Sequence, residues 1–344
     1  SSWARAGEAG TSRTAAAAIP ATNTRPACST IWTGDGSGGS RSRGRGGGWY
    51  GRRVPTHTID SDGVPLHVVE AGDPGGPALL LLHGWPEDHR CWQAVVPLLE
   101  DGFRLIAPDQ RGFGRSGRPE GTAAYALPVL AADVHRILDG LGVERASLVG
   151  HDVGGALVWT LAAFTPDRFD RAVVLASPHP QRMRVAAIDD PRQWQRSFYV
   201  WLLHAGPAGE RLLGSDGFRR LAEWAFAGSR VPTELVEAYR EDWAVPGAFT
   251  AMAEWYRANF RPSLYDPAVA LELPPVRIPV SYLHGGRDLA FVPGALQGSG
   301  EYVTAAFREQ VVPEVSHWIT HDAPDLVAAE IRDWVVSGEA GGRP

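Results

Sequence analysis

In Ala146-Ser147-Leu148-Val149-Gly150-His151-Asp152-Val153-Gly154-Gly155, a short apolar run that suits a buried strand meets a tight turn with an aspartate at its centre, and an apolar helical pattern follows. Strand, turn and helix in this order make a nucleophile elbow, here with a carboxylate where a hydroxyl is more usual. The small residues matter because a nucleophile on a strained turn leaves no room for nearby Cβ atoms, and because the helix packs close against the strand. The helix N-terminus also favours an anion, since its first N–H groups have no partner within the helix. Taken alone, the same turn also fits an aspartate that caps the helix, or a glycine-rich cofactor loop.

Outward from that turn, Ala78 to Leu82, Arg104 to Ala107, Arg171 to Ala176 and Pro279 to Leu283 repeat the short apolar run, with stretches of helical period between them. Runs that are apolar on both faces need helices on both sides, so the expected class is α/β with a mostly parallel, doubly wound sheet. Thr56 to Asp60 and Pro65 to Glu70 alternate around Ser61-Asp62-Gly63, which predicts a hairpin at the start. Residues 178–270 lose the strand signals and become helical, with Trp194, Trp201, Trp224, Trp243 and Trp255 among them, and read as an inserted cap. Strand signals resume at Pro279 and near Gln310 to Val315, followed by an amphipathic helix from about Asp325 to Val336. The expected division is a core of residues 54–177 plus 271–340, a helical cap at 178–270, and a low-complexity tail at 1–53.

That tail is rich in Ala, Gly, Ser, Thr and Arg, includes Gly34-Asp35-Gly36-Ser37-Gly38-Gly39-Ser40, and lacks the apolar surface to offset its ordering entropy. Its eight Arg against Glu8 and Asp35 leave the remainder strongly acidic in a chain of formal charge −6. An acidic body argues against a nucleic-acid partner, whose phosphates demand clustered Lys and Arg. No window approaches the run of about 18 apolar residues that a membrane span needs, so a soluble protein is expected. Cys28 and Cys91 are the only cysteines, too few for a disulfide framework, which fits a reducing cytoplasm. No His, Cys or carboxylate set stands at a recognised ligand spacing, so neither a metal nor another cofactor is expected.

Three further motifs follow in order around the elbow. His83-Gly84-Trp85-Pro86 comes after a Leu-rich strand, Leu283-His284-Gly285-Gly286-Arg287-Asp288 ends the run from Pro279, and Val315-Ser316-His317-Trp318-Ile319-Thr320-His321 comes after the last predicted strand. Together they resemble the α/β-hydrolase superfamily, and within it the epoxide hydrolases, over roughly residues 56–337. The resemblance implies Asp152 as nucleophile, Asp288 as the acid that orients a histidine, and His317 as that histidine, with His321 a decoy. It also implies that the backbone N–H groups of Trp85 and Val153 hold an oxyanion, which needs two such donors. Some dehalogenase relatives place the acid after strand six, but here that strand ends in Ser177-Pro178-His179-Pro180 with no carboxylate nearby. Pro108-Asp109-Gln110-Arg111-Gly112-Phe113-Gly114-Arg115-Ser116 also matches a superfamily loop and reads as structural.

A carboxylate nucleophile displaces at saturated carbon and forms an alkyl ester, which a base and water must then cleave. An opening epoxide also needs proton donors facing the nucleophile, whereas a departing halide needs only weak ones. Epoxide hydrolases carry two such tyrosines in the cap, and the stretches around Tyr199 and Tyr256 resemble theirs, with Tyr239 as the fallback. Haloalkane dehalogenases place a Trp after the nucleophile and fluoroacetate dehalogenases an Arg, where this chain has Val153. The expectation is hydrolysis of an apolar small-molecule epoxide by water, without a cofactor. A haloalkane or haloacid dehalogenase is the alternative, and a non-catalytic ligand-binding member of the fold is the third reading.

Overall fold

The computed structural model describes residues 48–49, 52–266 and 273–336. Most of the stretch 1–53, Cys28 included, lies outside the described residues, apart from a two-residue ladder that pairs Gly48–Trp49 with Arg52–Arg53.

Eight strands form the main sheet: β1 (Thr56–Ser61), β2 (Val64–Gly72), β3 (Ala78–Leu82), β4 (Arg104–Pro108), β5 (Ala146–His151), β6 (Phe169–Leu175), β7 (Val280–Gly285) and β8 (Phe307–Val312). Their spatial order is β8-β7-β6-β5-β3-β4-β2-β1. The β1–β2 hairpin turns at Asp62-Gly63 and joins β4 antiparallel, and every other neighbouring pair is parallel.

The continuous apolar runs are explained by cover on both faces. Leu79, Leu81, Val149, Val173 and Leu175 pack in one cluster with Val327, Ile331 and Trp334 of the last described helix, Pro324–Val336. The alternating neighbours Leu80, Leu82, Leu148 and Val174 are equally buried, on the side of the helices α1 (Leu127–Gly140) and α2 (Val153–Phe164), which pack on each other. The edge strand β8 begins three residues earlier than the strand signals near Gln310 to Val315 predict. After Phe307 its Arg308, Glu309 and Gln310 are half-buried or exposed, so half of the strand is polar and carries no continuous apolar signal, and Pro313 ends the pairing.

Among the described residues, positions 178–266 hold no strand and form seven α-helices, α3 (Pro180–Asp189), α4 (Pro191–Arg196), α5 (Phe198–His204), α6 (Pro207–Leu213), α7 (Arg219–Ala225), α8 (Thr233–Trp243) and α9 (Ala248–Asn259), and a short 3-10 turn at Pro262–Tyr265. Start signals are local: Pro191 opens α4 after Asp190, whose carboxylate accepts from the Arg192 N–H at 2.9 Å. In α8, Leu235, Tyr239 and Trp243 recur at intervals of four and are buried together. No helix among the described residues is long and apolar enough to cross a membrane.

Candidate active site

Loops that leave the C-terminal ends of β3, β5, β7 and β8 carry Trp85, Asp152, Asp288 and His317 respectively, and these ends are where open α/β sheets bind ligands. Strand β5 is buried along its whole length and stops at His151, and Asp152 takes the turn at φ 52° and ψ −120°. A side chain other than glycine at positive φ is strained, and its neighbours hold it there. Gly84 is needed for that crowding, because a Cβ on it would lie 2.8 Å from the Asp152 Cβ and 2.8 Å from His151 Nδ1. Gly154 brings α2 against β3, where its Cβ would lie 2.4 Å from the Leu82 carbonyl oxygen.

The two carboxylate oxygens of Asp152 face different partners. Oδ1 accepts from the Trp85 N–H at 2.9 Å, and Oδ2 lies 3.5 Å from His317 Nε2. Val153 opens α2 beside it, with an N–H that has no partner within the helix. His317 Nδ1 bonds Asp288 Oδ2 at 2.8 Å, while Asp288 Oδ1 accepts from the N–H groups of Ala290 at 2.7 Å and Phe291 at 3.1 Å. Helix α4 fixes this acid loop: the buried Gln193 bonds the Ala290 carbonyl and the Val292 N–H, and Arg196 donates to the Asp288 carbonyl at 2.6 Å. The sequence motifs for nucleophile, acid and histidine thus meet in one chain of contacts.

Tyr199 of α5 and Tyr256 of α9 bring their hydroxyls to 3.3 Å from each other. Trp85 stacks on the Tyr199 ring at 5.2 Å and presents Tyr256 with an edge-on contact at 5.5 Å. Both tyrosines and Asp152 line one cavity of about 120 Å³. Tyr239 is elsewhere, buried with its hydroxyl 3.3 Å from Glu87.

Electrostatics follow from burial and pairing. Burial alone would push the Asp152 carboxyl up, but the hydrogen bond and charge of His317, with smaller help from His151 and the Trp85 N–H, leave it below the usual range. Burial alone would push His317 down, but the Asp288 charge and the bonds to Asp152 and Asp288 hold it up at about 10. Burial raises both tyrosines, and the Asp152 charge adds to that, so their phenols stay protonated donors.

Glu87 and His151 are members of the site's foundation that sequence reasoning passed over. Glu87 is fully buried, accepts from His321 Nε2 at 2.7 Å and from Tyr239, and stands 3.6 Å from His151 Nδ1. His151 in turn donates from Nε2 to the His317 backbone carbonyl at 2.9 Å, which ties the elbow to the histidine loop. The decoy His321 therefore serves this network. The available signal was the position of Glu87, first of the charged run Glu87-Asp88-His89-Arg90 that directly follows His83-Gly84-Trp85-Pro86. Burial opposes ionisation of Glu87, but the charge of His321, the bond it makes and the nearby His151 bring it down to about 2. Because that value lies below the ordinary 4.5, its stabilising effect is present above pH 4.5 and is lost as the pH falls toward 2. Glu87→Ala should cost about 3 kcal/mol in urea unfolding at neutral pH, with the difference narrowing below pH 4.5. An unchanged midpoint would contradict this.

His67, His89 and Asp109 also gather ligand-type atoms within 4.8 Å of one another, a cluster that linear spacing did not reveal. Asp109 is already occupied there by His89 Nδ1 at 2.6 Å, His67 Nδ1 at 3.1 Å and the N–H groups of His89 and Arg115. The carboxylate braces the loop Asp109 to Ser116, and a metal would have to displace those donors.

Comparison with known proteins agrees with this geometry. A family model described as alpha/beta hydrolase fold matches residues 77–324. An AB hydrolase superfamily protein, YfhM of Bacillus subtilis, is 33% identical over 82% of this chain and 98% of its own length. Epoxide hydrolase A of Mycobacterium tuberculosis is 30% identical over 82% of this chain and 97% of its own. Among solved structures, an epoxide hydrolase from hot-environment metagenomes superposes with a TM-score of 0.75 at 30% identity, covering 83% of this chain and all of that one. With a buried nucleophile elbow, an inserted run of helices and matches of this extent, the chain belongs to the α/β-hydrolase fold family.

Proposed function

We propose that this chain is an epoxide hydrolase that converts a small apolar epoxide and water to a vicinal diol. The observation that carries the reading is the pair of tyrosine hydroxyls, 3.3 Å apart, in the cavity that Asp152 also lines. Relatives at about 30% identity that bear the same activity in their names support it.

In the first step Asp152 attacks a ring carbon, the C–O bond breaks, and the ring oxygen takes a proton from Tyr199 or Tyr256. The tyrosines are suited to this because they stay protonated until an alkoxide forms beside them. The tyrosine recovers its proton at the expense of the His317 imidazolium. Formation of the ester removes the Asp152 charge, and with it part of what holds the imidazole protonated, so His317 becomes a base at the stage that needs one. His317 then takes a proton from water, and the hydroxide adds to the Asp152 carbonyl carbon. The oxyanion is received by the Trp85 and Val153 N–H groups. Collapse breaks the bond to the alkyl oxygen, which leaves with the proton from His317. The second proton of the water returns to His317, and Asp152 is a carboxylate again.

The helices at 178–266 act as the cap that supplies the proton donors, and the sparse cysteines support a cytoplasmic setting. Tyr199→Phe and Tyr256→Phe should each lower kcat/KM for an epoxide by about 10²-fold, and the double variant by more. Diol formation unchanged in the double variant would sink the reading. Halide release from a brominated alkane that survives in the double variant while diol formation is lost would favour the dehalogenase alternative.

A further inference from the structure

Asp152 stands where two chambers of unequal size meet. The larger, about 120 Å³, is lined mainly by apolar side chains, Val153, Ala156, Met183, Ala187, Phe260 and Phe291 among them. The smaller, about 40 Å³, lies between Trp85, Trp224, Ala225, Leu289, Trp318 and His317. Asp152, Tyr199 and Ala290 belong to both, whereas Tyr256 lines only the larger and His317 only the smaller.

This division assigns the contents. A water that is to lose its proton to His317 and attack the Asp152 carbonyl must stand on the His317 side, in the smaller chamber. One water occupies roughly 10–15 Å³ of such space, so a 40 Å³ chamber that holds it has room beside it for a hydrogen or a methyl group and none for a ring. Its walls are fixed by packing: Trp318 donates from Nε1 to the Ala225 carbonyl at 2.6 Å and meets the His317 ring edge-on at 5.0 Å, and Trp224 packs on Tyr199 at 5.3 Å. The larger chamber, at 120 Å³, approaches the roughly 150 Å³ of a dry apolar cavity that accepts benzene. Val153 contributes to that room, since a tryptophan in its place, directly after Asp152, would project into it.

From these proportions we propose that the enzyme takes terminal epoxides carrying one ring-sized apolar substituent, with that substituent in the Val153 chamber and the unsubstituted carbon on the His317 side. The proposal rests on the epoxide-hydrolase reading above and narrows it. Epoxides with a bulky group on each carbon are excluded because the second group and the hydrolytic water compete for one small space. Val153, Trp224 and Leu289 are then the specificity-determining positions.

The test follows diol formation by the full-length chain from styrene oxide and from trans-stilbene oxide. The value of kcat/KM should be higher for styrene oxide by about 100-fold or more, a ratio in the range that misfit in an apolar pocket produces. Trp224→Ala, and Leu289→Ala at an exposed rim position that tolerates change, should each shift the ratio about tenfold toward trans-stilbene oxide. Equal kcat/KM for the two epoxides, or a ratio that neither variant moves, overturns the proposal while leaving the epoxide-hydrolase reading intact. Absence of diol from both epoxides overturns that reading and the proposal with it.

Discussion

His317→Gln is expected to load the protein with its own intermediate. Mixed with excess epoxide, the variant should bind one equivalent of substrate covalently, as a mass increase on the peptide that contains Asp152, and steady turnover should fall by about 10³-fold. The two steps depend on different groups. Ester formation needs the Asp152 carboxylate, held at 2.9 Å by the Trp85 N–H, and the phenols of Tyr199 and Tyr256. Ester cleavage needs a proton acceptor for water, and His317 is the group that lies 3.5 Å from Asp152 with an acid at its other nitrogen. A glutamine keeps a polar group beside the Asp152 carboxylate but takes no proton. Full turnover in this variant, or slow turnover with no trapped ester, would contradict the assignment.

Asp152→Ala should abolish diol formation, by about 10⁴-fold or more, because among the described residues no other carboxylate lines the cavity. It should also change His317 in a measurable way. In the intact site burial lowers the imidazole while Asp288 and Asp152 together raise it, to about 10, so it is charged throughout the neutral range. Since this folded value lies above the ordinary 6.5, the pairing stabilises the fold fully below pH 6.5 and ceases to do so as the pH rises through about 10. Without the Asp152 charge, burial is opposed by Asp288 alone and the imidazole must titrate at lower pH. An NMR titration of the histidine ring protons in both proteins reads the shift directly. An unmoved His317 would break the coupling on which the change of role between the two steps depends.

The parts of this molecule that could be read from the chain are those whose signal is contiguous. Strands β3 to β7 announce themselves as short runs because both faces are covered, and the motifs at Gly84, Asp152, Asp288 and His317 sit directly at the ends of those strands. Edge strand β8 is harder to place because one side of it is open, so after Phe307 it runs through the polar residues Arg308, Glu309 and Gln310. Tyr199 and Tyr256 could be named from resemblance, but their meeting depends on the packing of α5 against α9, which no local pattern encodes. Glu87, Tyr239 and His321 come from three distant segments, so their union exists only after folding. The unequal chambers are more remote still, since they depend on the space left between helices rather than on any residue's identity.

The central claim is that Asp152 itself becomes covalently bonded to substrate, and a single turnover in ¹⁸O-labelled water tests it most directly. With enzyme in excess over epoxide, hydroxide attack on the ester carbonyl carbon must leave one labelled oxygen in the Asp152 carboxylate, read by mass spectrometry of the peptide around Gly150 to Gly155, while the first diol formed is unlabelled. Label in the diol with none in Asp152 would mean that water attacks the epoxide directly, and would contradict the account.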